Sequence, residues 1–130
     1  MIKTEKLMKT KNFIILFVGV LFLISSCVYD EIKQNKGNGT AQIIGNEIHY
    51  RNGAYFLKYK YVIDGKTYYD ETSNLVRGKY LDDYMFKYFP IVYSTKNPEK
   101  SIILISPDDF ERWGMEFPDS LNWVKDKLEF

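Results

Sequence analysis

The feature that most constrains the fold is the segment Ala54–Ile63, which lies between two short turn signals. Asn52-Gly53 precedes the segment and Asp64-Gly65 follows it, and both pairs are typical of two-residue hairpin turns. The segment alternates between an apolar face of Tyr55, Leu57, Tyr59, Tyr61 and Ile63 and an opposite face with Lys58 and Lys60. This period of two is that of a half-buried β-strand. The sequence therefore predicts three antiparallel strands joined by two tight turns.

Further strands extend this meander. The strand before it covers Ala41–Arg51, the strand after it covers Lys66–Asp70, and two more are predicted at Met85–Ser94 and Ser101–Ile105. Pro90 has no N–H to donate, which favours an edge position or a bulge for its strand. Residues 71–83 show no clear period and are predicted as a long loop or a short irregular strand. We expect a small antiparallel β barrel or sandwich of about five strands.

The C-terminal part of the chain has helix signals. Ser106 can cap a helix, Pro107 suits its first position, and Asp108 and Asp109 favour its positive end. Gly114 is expected to end this helix after two turns. A second helix is predicted after Pro118, with one apolar face of Leu121, Val124 and Leu128. The predicted fold class is therefore mainly β with a short helical C-terminal tail (α+β).

The N-terminus has the three-part order of a secretory signal peptide. Residues 1–12 are polar and basic, Phe13–Ile24 is apolar apart from Gly19, and small residues follow. The apolar run would reach about 18 Å as a helix, short of the hydrocarbon layer of about 30 Å. A membrane-spanning anchor is therefore the less favoured alternative.

The residues Ile24, Ser25, Ser26 and Cys27 resemble the lipobox of bacterial lipoproteins. The resemblance implies cleavage before Cys27 and lipid on that cysteine. It predicts a signal peptide over 1–26, a lipidated cysteine with a flexible tether over 27–40, and one β-rich domain with C-terminal helices over 41–130. The expected location is a bacterial membrane, on its periplasmic or cell-surface side.

A second resemblance lies within the predicted domain, over roughly Tyr55 to Ile105. Its elements are Tyr59-x-Tyr61-x-x-Asp64-Gly65-Lys66-x-Tyr68, then Phe89-Pro90-Ile91-Val92-Tyr93, then Asn97-Pro98-x-x-Ser101. The pattern resembles a family of uncharacterised small β domains of bacterial envelope proteins. It implies a small β barrel or sandwich in the envelope, and it implies no activity and no functional residues.

Charge and residue types narrow the function classes. Beyond residue 26 the chain has 14 basic and 16 acidic side chains, which gives no electrostatic case for a nucleic-acid partner. His49 is the only histidine and Cys27 the only cysteine, so neither a histidine-based catalytic set nor a zinc site is predicted. Asp108 and Asp109 lack the spacing of a calcium loop. We expect no enzyme activity, metal or cofactor, and hydrolysis by a carboxylate pair is only a remote alternative.

The density of tyrosine is the most suggestive feature, because Tyr and Trp are common at binding surfaces. Tyr55, Tyr59 and Tyr61 follow the strand alternation and are expected in the core. The candidate binding surface is Tyr50, Tyr68, Tyr69, Tyr80, Tyr84, Tyr88 and Trp113. The favoured hypothesis is a membrane-anchored lipoprotein whose domain binds another envelope protein. The alternative is a small module that binds a glycan or another ligand.

Overall fold

The computed structural model describes residues 28–49 and 53–128, and the described part is mainly antiparallel β. The strands are β1 (Lys36–His49), β2 (Ala54–Ile63), β3 (Lys66–Glu71), β4 (Val76–Arg77), β5 (Tyr88–Ser94) and β6 (Ser101–Ile103). They form a curled half-barrel sheet in the order β3-β2-β1-β5-β6, with the short β4 paired to β2. The predicted fold class, mainly β with a short helical tail, is confirmed.

The β2–β3 turn has the geometry that the sequence predicts. Asp64 and Gly65 both have positive φ, 50° and 79°, as a type I′ hairpin turn requires. Leu57, Tyr59 and Tyr61 are buried on one side of β2. Their face of the sheet is therefore the core face, and the lysines of β2 are exposed on the outer face.

The predicted flexible tether is wrong for residues 28–40. Residues 28–34 are helical (α1), and β1 begins at Lys36. Ile32 is fully buried, and a Cβ at Gly37 would collide with the ring of Tyr93. The glycines that made this segment look flexible instead allow close packing, so the folded domain begins before residue 41. Cys27 and residues 1–26 lie outside the described residues.

β5 is an inner strand with a continuous register at Pro90, so the prediction of an edge position or a bulge is wrong. Pro90 pairs with Thr40 of β1, and its carbonyl accepts the N–H of Leu104 at 2.9 Å. The N–H that proline lacks would face the same side as its carbonyl, where β6 has already ended at Ile103. An inner strand tolerates proline here because the pairing with β1 loses no hydrogen bond, and the missing bond falls opposite Leu104, just past the end of β6.

Residues 71–83, predicted as a loop or irregular strand, contain β4 and a 3-10 turn, Gly78–Tyr80, that leads into α2 (Leu81–Tyr84). Thr72 fixes the start of this segment, because its hydroxyl accepts the N–H of Leu57 at 3.0 Å. The segment brings Tyr84 into the interior.

The C-terminal helices follow the predicted signals. α3 (Pro107–Arg112) has a capping box in which Ser106 and Asp109 satisfy each other's backbone N–H groups. Gly114 follows the helix with a φ of 64°. The second helix is a 3-10 helix, Asp119–Lys127, which buries Leu121 and Val124, whereas Leu128, predicted on the same face, is 40% exposed.

Candidate functional site

The aromatic residues predicted as a binding surface do not form one surface. Tyr84 and Trp113 line a cavity, whereas Tyr69 and Tyr88 are exposed on the outer face of the sheet. Tyr50 lies outside the described residues. The predicted residues therefore lie in different places, some in the cavity wall and some on the outer face of the sheet.

Tyr68 and Tyr80 belong to neither group. The Tyr68 ring stacks on Tyr61 with centroids 5.4 Å apart. The Tyr80 ring lies beneath two ammonium groups, those of Lys79 at 4.8 Å and Lys127 at 5.0 Å. Both tyrosines are half-buried, and these ring and cation–π contacts account for them.

The outer face carries a row of four residues, Tyr69, Lys60, Gln42 and Tyr88, which we name the outer row. Tyr69 pairs with Lys60, Lys60 with Gln42, and Gln42 with Tyr88, so the four side chains point to the same side of the sheet. Tyr69 is 68% exposed and Tyr88 is 64% exposed. Three strand spacings separate the two rings, roughly 14 Å.

Phe86 adds a third exposed aromatic ring near Tyr88. Phe86 is 65% exposed and has a φ of 63°, a left-handed conformation that is rare for a bulky residue. Its N–H donates to Ile43 and its carbonyl accepts the side-chain amide of Gln42. The bulge of β1 after Ile43 therefore holds this residue in place.

The cavity has a volume of about 560 Å³, which is in the size range of small-molecule sites. It lies between the β6 region and the segments 73–76, 105–113 and 127–128. Its apolar lining residues are Leu75, Val76, Ile102, Ile103, Ile105 and Leu128. Remote parts of the chain thus form one concave site, whose wall also includes the polar residues Ser73, Asn74 and Ser106.

Two aromatic side chains form part of the cavity wall. Tyr29 of α1 packs against Trp113 after α3, with ring centroids 4.9 Å apart. Sequence reasoning missed Tyr29, because it placed this residue in a tether. The apolar residues Val28 and Ile32, spaced four apart on α1, are the signal that could have identified a packed helix.

Tyr84 contributes a polar group to this region. The residue is fully buried, and its ring packs against Phe89 at 6.1 Å and Trp123 at 5.2 Å. Among the described residues, its hydroxyl has no hydrogen-bond partner. A buried hydroxyl without a partner costs about 1–3 kcal/mol. Burial raises the pKa of Tyr84 to about 12, so the group is a neutral phenol that can donate a hydrogen bond.

Charged side chains also lie in the wall. Asp109 is engaged in the helix cap, since its carboxylate accepts the N–H groups of Ile105 and Ser106 at 3.0 Å each. Lys127 pairs with Asp83 at 3.0 Å. Within the described parts of the chain, no carboxylate lies within 4.0 Å of the guanidinium of Arg112. Arg112 is therefore the cation in the wall that is placed to meet an anionic group.

A second polar cluster lies under the meander and was also missed from the sequence. The hydroxyl of Tyr59 lies 2.8 Å from that of Ser101, which donates to Asp70 at 3.2 Å. Because Asp70 accepts from Ser101, Tyr59 is the donor to Ser101. Burial raises the pKa of Tyr59, and the neighbouring Asp70 adds to the effect. The cluster satisfies buried hydroxyls and gives this tyrosine a structural explanation.

The remaining candidates for chemistry are possible metal ligands, Asp109 and His49. The described residues contain no group of three or more His, Cys, Asp or Glu side chains that could hold a metal ion. Asp109 serves in the helix cap, as the sequence indicated. His49 is the last residue of β1, and its side chain lies outside the described part of the structure. The absence of enzyme activity stays a prediction.

Within residues 28–49 and 53–128, none of the helices has the length and apolar character needed to cross a membrane. The chain matches no protein-family model, no curated protein and no solved structure. The resemblances to lipoproteins and to small envelope β domains therefore stay predictions from the sequence.

Proposed function

We propose that this protein is a non-enzymatic lipoprotein of a bacterial cell envelope that binds a small ligand in the cavity of its β domain. Lipid on Cys27 holds it on the periplasmic or cell-surface side of a membrane. Of the two functions considered from the sequence, the ligand-binding module gains more support from the geometry than the protein-interaction domain.

The observation that carries this proposal is the cavity of about 560 Å³, whose wall combines apolar side chains with polar and charged ones. A cavity that only fills space would be better lined by Phe at the position of Tyr84, because the unpartnered hydroxyl is destabilising. The hydroxyl is closed to solvent, so a ligand with a hydrogen-bond acceptor would remove that cost only if its binding shifts the wall and uncovers the hydroxyl. Apolar walls with a few polar groups are typical of ligand sites.

The ligand is tested by purifying the full-length protein from cells and identifying small molecules released on denaturation by mass spectrometry. We expect one compound, near one per protein, from the wild type. Ile102→Trp places a large ring in the cavity wall and should remove the compound. Val62→Trp is the matched control, because Val62 is an exposed strand residue outside the cavity lining. Equal recovery from both variants would contradict the proposal.

The anchor is tested separately with Cys27→Ala. We expect an uncut precursor that takes up no labelled fatty acid, because the thiol that accepts the lipid is gone. Ser26→Ala keeps a small residue and the thiol, and should be processed. Normal cleavage and labelling of Cys27→Ala would refute the anchor without bearing on the cavity.

A protein-interaction domain remains the second candidate, and the outer row favours it. Two exposed tyrosines lie on one sheet face, the exposed Phe86 is two residues before Tyr88, and aromatic side chains are enriched where proteins bind each other. Crosslinking in cells, with the lipidated protein and a Tyr69→Ser, Tyr88→Ser double variant, tests this candidate. Capture of one envelope protein by the wild type and not by the variant would support it.

A further inference from the structure

We propose that the cavity takes an anionic membrane lipid, which enters directly from the bilayer to which the protein is anchored. This inference rests on the proposed anchor and names the ligand class of the same cavity. Three observations carry it: the position of the cavity wall in the chain, the aromatic pair beside it, and the chemistry of its lining.

The first observation is the short covalent path from the anchor to the cavity. Tyr29 lies in the cavity wall and is two residues after Cys27. Successive Cα atoms are 3.8 Å apart, so the two Cα atoms are within about 7.6 Å of each other in any conformation. Lipid on Cys27 would therefore hold this wall at the membrane surface.

α1 makes this placement fixed. Glu31 of α1 accepts hydrogen bonds from Asn97 and from Lys100, the latter at 2.7 Å. The N–H of Thr95 donates to the carbonyl of Asn35 at 2.8 Å, directly after α1. With Ile32 fully buried, the helix is part of the domain. The cavity therefore stays close to the proposed anchor at Cys27.

The second observation is the pair Tyr29 and Trp113. Both rings are half-buried, with centroids 4.9 Å apart. Tyr and Trp are enriched at the interface between lipid headgroups and acyl chains, because their rings are amphipathic. Tyr29 is two residues from the anchor and Trp113 packs on it, which places the pair at that depth.

The third observation is that the lining combines apolar side chains with charged ones. Apolar side chains such as Ile103 and Leu128 suit an acyl chain, and the guanidinium of Arg112 suits a phosphate group. The wall also contains Lys127 and two carboxylates, Asp108 and Asp109, but Lys127 pairs with Asp83 and Asp109 serves in the helix cap. The lining therefore matches an amphiphile with one anionic end better than a wholly polar ligand.

The test uses the lipidated full-length protein in vesicles that contain a phospholipid with a photoactivatable group in its acyl chain. Phosphatidylglycerol is the anionic probe and phosphatidylcholine the neutral one. After illumination, crosslinked peptides are located by mass spectrometry. We expect crosslinks in the cavity wall, at Tyr29, Ile103 or Trp113, and higher yield from the anionic lipid.

Variants separate lipid in the cavity from lipid that is merely near the anchor. Ile102→Trp should abolish the crosslinks in the wall, and Val62→Trp should leave them unchanged. Arg112→Gln should reduce the anionic preference by about three- to ten-fold, the scale of one exposed charge-assisted contact. Lys125→Gln is its control, because Lys125 lies over the Phe117 ring and outside the lining.

Several results would overturn the inference. Crosslinks that survive Ile102→Trp would mean that lipid only surrounds the domain. No crosslink in the wall would mean another occupant, such as the lipid on Cys27 itself, residues 129–130, or a soluble compound. The mass of the purified protein shows whether Cys27 carries lipid, so failure of the anchor is distinguished from failure of the cavity to bind lipid.

Discussion

Tyr59 and Tyr84 are both fully buried, and the structure treats their hydroxyl groups differently. Tyr59, under the meander, lies 2.8 Å from the hydroxyl of Ser101. Its neighbour Tyr61 donates to the carbonyl of Pro98 at 2.6 Å. Tyr84, beside the cavity, has no partner among the described residues. The tyrosine hydroxyl groups under the meander therefore have hydrogen-bond partners, whereas the Tyr84 hydroxyl beside the cavity has none among the described residues.

The interior under the meander and the region of the cavity are stabilised in different ways. Under the meander, local hairpins bring apolar side chains together and each buried hydroxyl has a partner. The cavity is built where segments distant in sequence meet, and its packing is left open. A region of this kind can bind a ligand, but it is less stable than a closely packed region.

The largest expected effect is the loss of core packing under the meander. Leu57 is fully buried, so Leu57→Ala should lower the free energy of unfolding by about 2–5 kcal/mol. Ile103→Ala should lower the free energy of unfolding by about 2 kcal/mol, at the lower end of that range, because Ile103 already borders the cavity. Urea unfolding of both variants measures this, and a larger loss at Ile103 would contradict the comparison.

Removing the hydroxyl group of Tyr59 or of Tyr84 tests the comparison of the two regions more directly. Tyr59→Phe should destabilise the protein by about 1 kcal/mol, because it removes the bond to Ser101. Tyr84→Phe should stabilise the ligand-free protein by about 1 kcal/mol, because it removes a buried group without a partner. Thermal unfolding of the two variants should therefore shift in opposite directions.

The same pair also tests ligand binding. Tyr84→Phe should retain less of the cavity ligand than the wild type, whereas Tyr59→Phe should retain it. Equal destabilisation by both substitutions would mean that the hydroxyl of Tyr84 is already satisfied within the protein.

The smallest expected effect is a response to acid in α1. Hydrogen bonds from Lys100 and Asn97 lower the pKa of Glu31 below its ordinary value of 4.5, against a smaller opposing effect of burial. The carboxylate therefore contributes its stability above pH 4.5, and the contribution is lost as the pH falls through the lowered pKa. Hydrogen exchange should show α1 loosening in acid before β2 does.

The control for this response is Glu31→Gln, which cannot ionise. Its α1 amides should exchange faster than those of the wild type at pH 7 and should lose the acid dependence. Unchanged protection at both pH values would show that Ile32 holds α1 without help from Glu31.

The meander could be predicted because its signals are local. Alternation along β2 and the Asp64-Gly65 turn act within a few residues, as does the capping box at Ser106. The same holds for the stop at Gly114, whose positive φ follows from the missing side chain. Local patterns of this kind are visible in the sequence without knowledge of the partner strands.

The cavity and the start of the domain could not be predicted, because tertiary contacts decide them. The glycines at 37 and 39 look like a linker, but Gly37 lies under the Tyr93 ring in a strand. Pro90 looks like an edge residue until the end of β6 is known. Tyr84 follows a segment with no clear period, and only the packed structure brings it to the cavity wall.

The long strand β1 also has a consequence for the order of folding. Its second half pairs with β2, which is close in sequence, while its first half joins distant residues, such as Lys36 and Ser94. Contacts between distant residues carry a larger loop-closure cost and form later than local hairpins. We therefore expect the three-strand meander to form first and the β1–β5 pairing to complete the sheet. Since the cavity needs β6, it is among the last parts of the molecule to form, and it exists only in the fully folded chain.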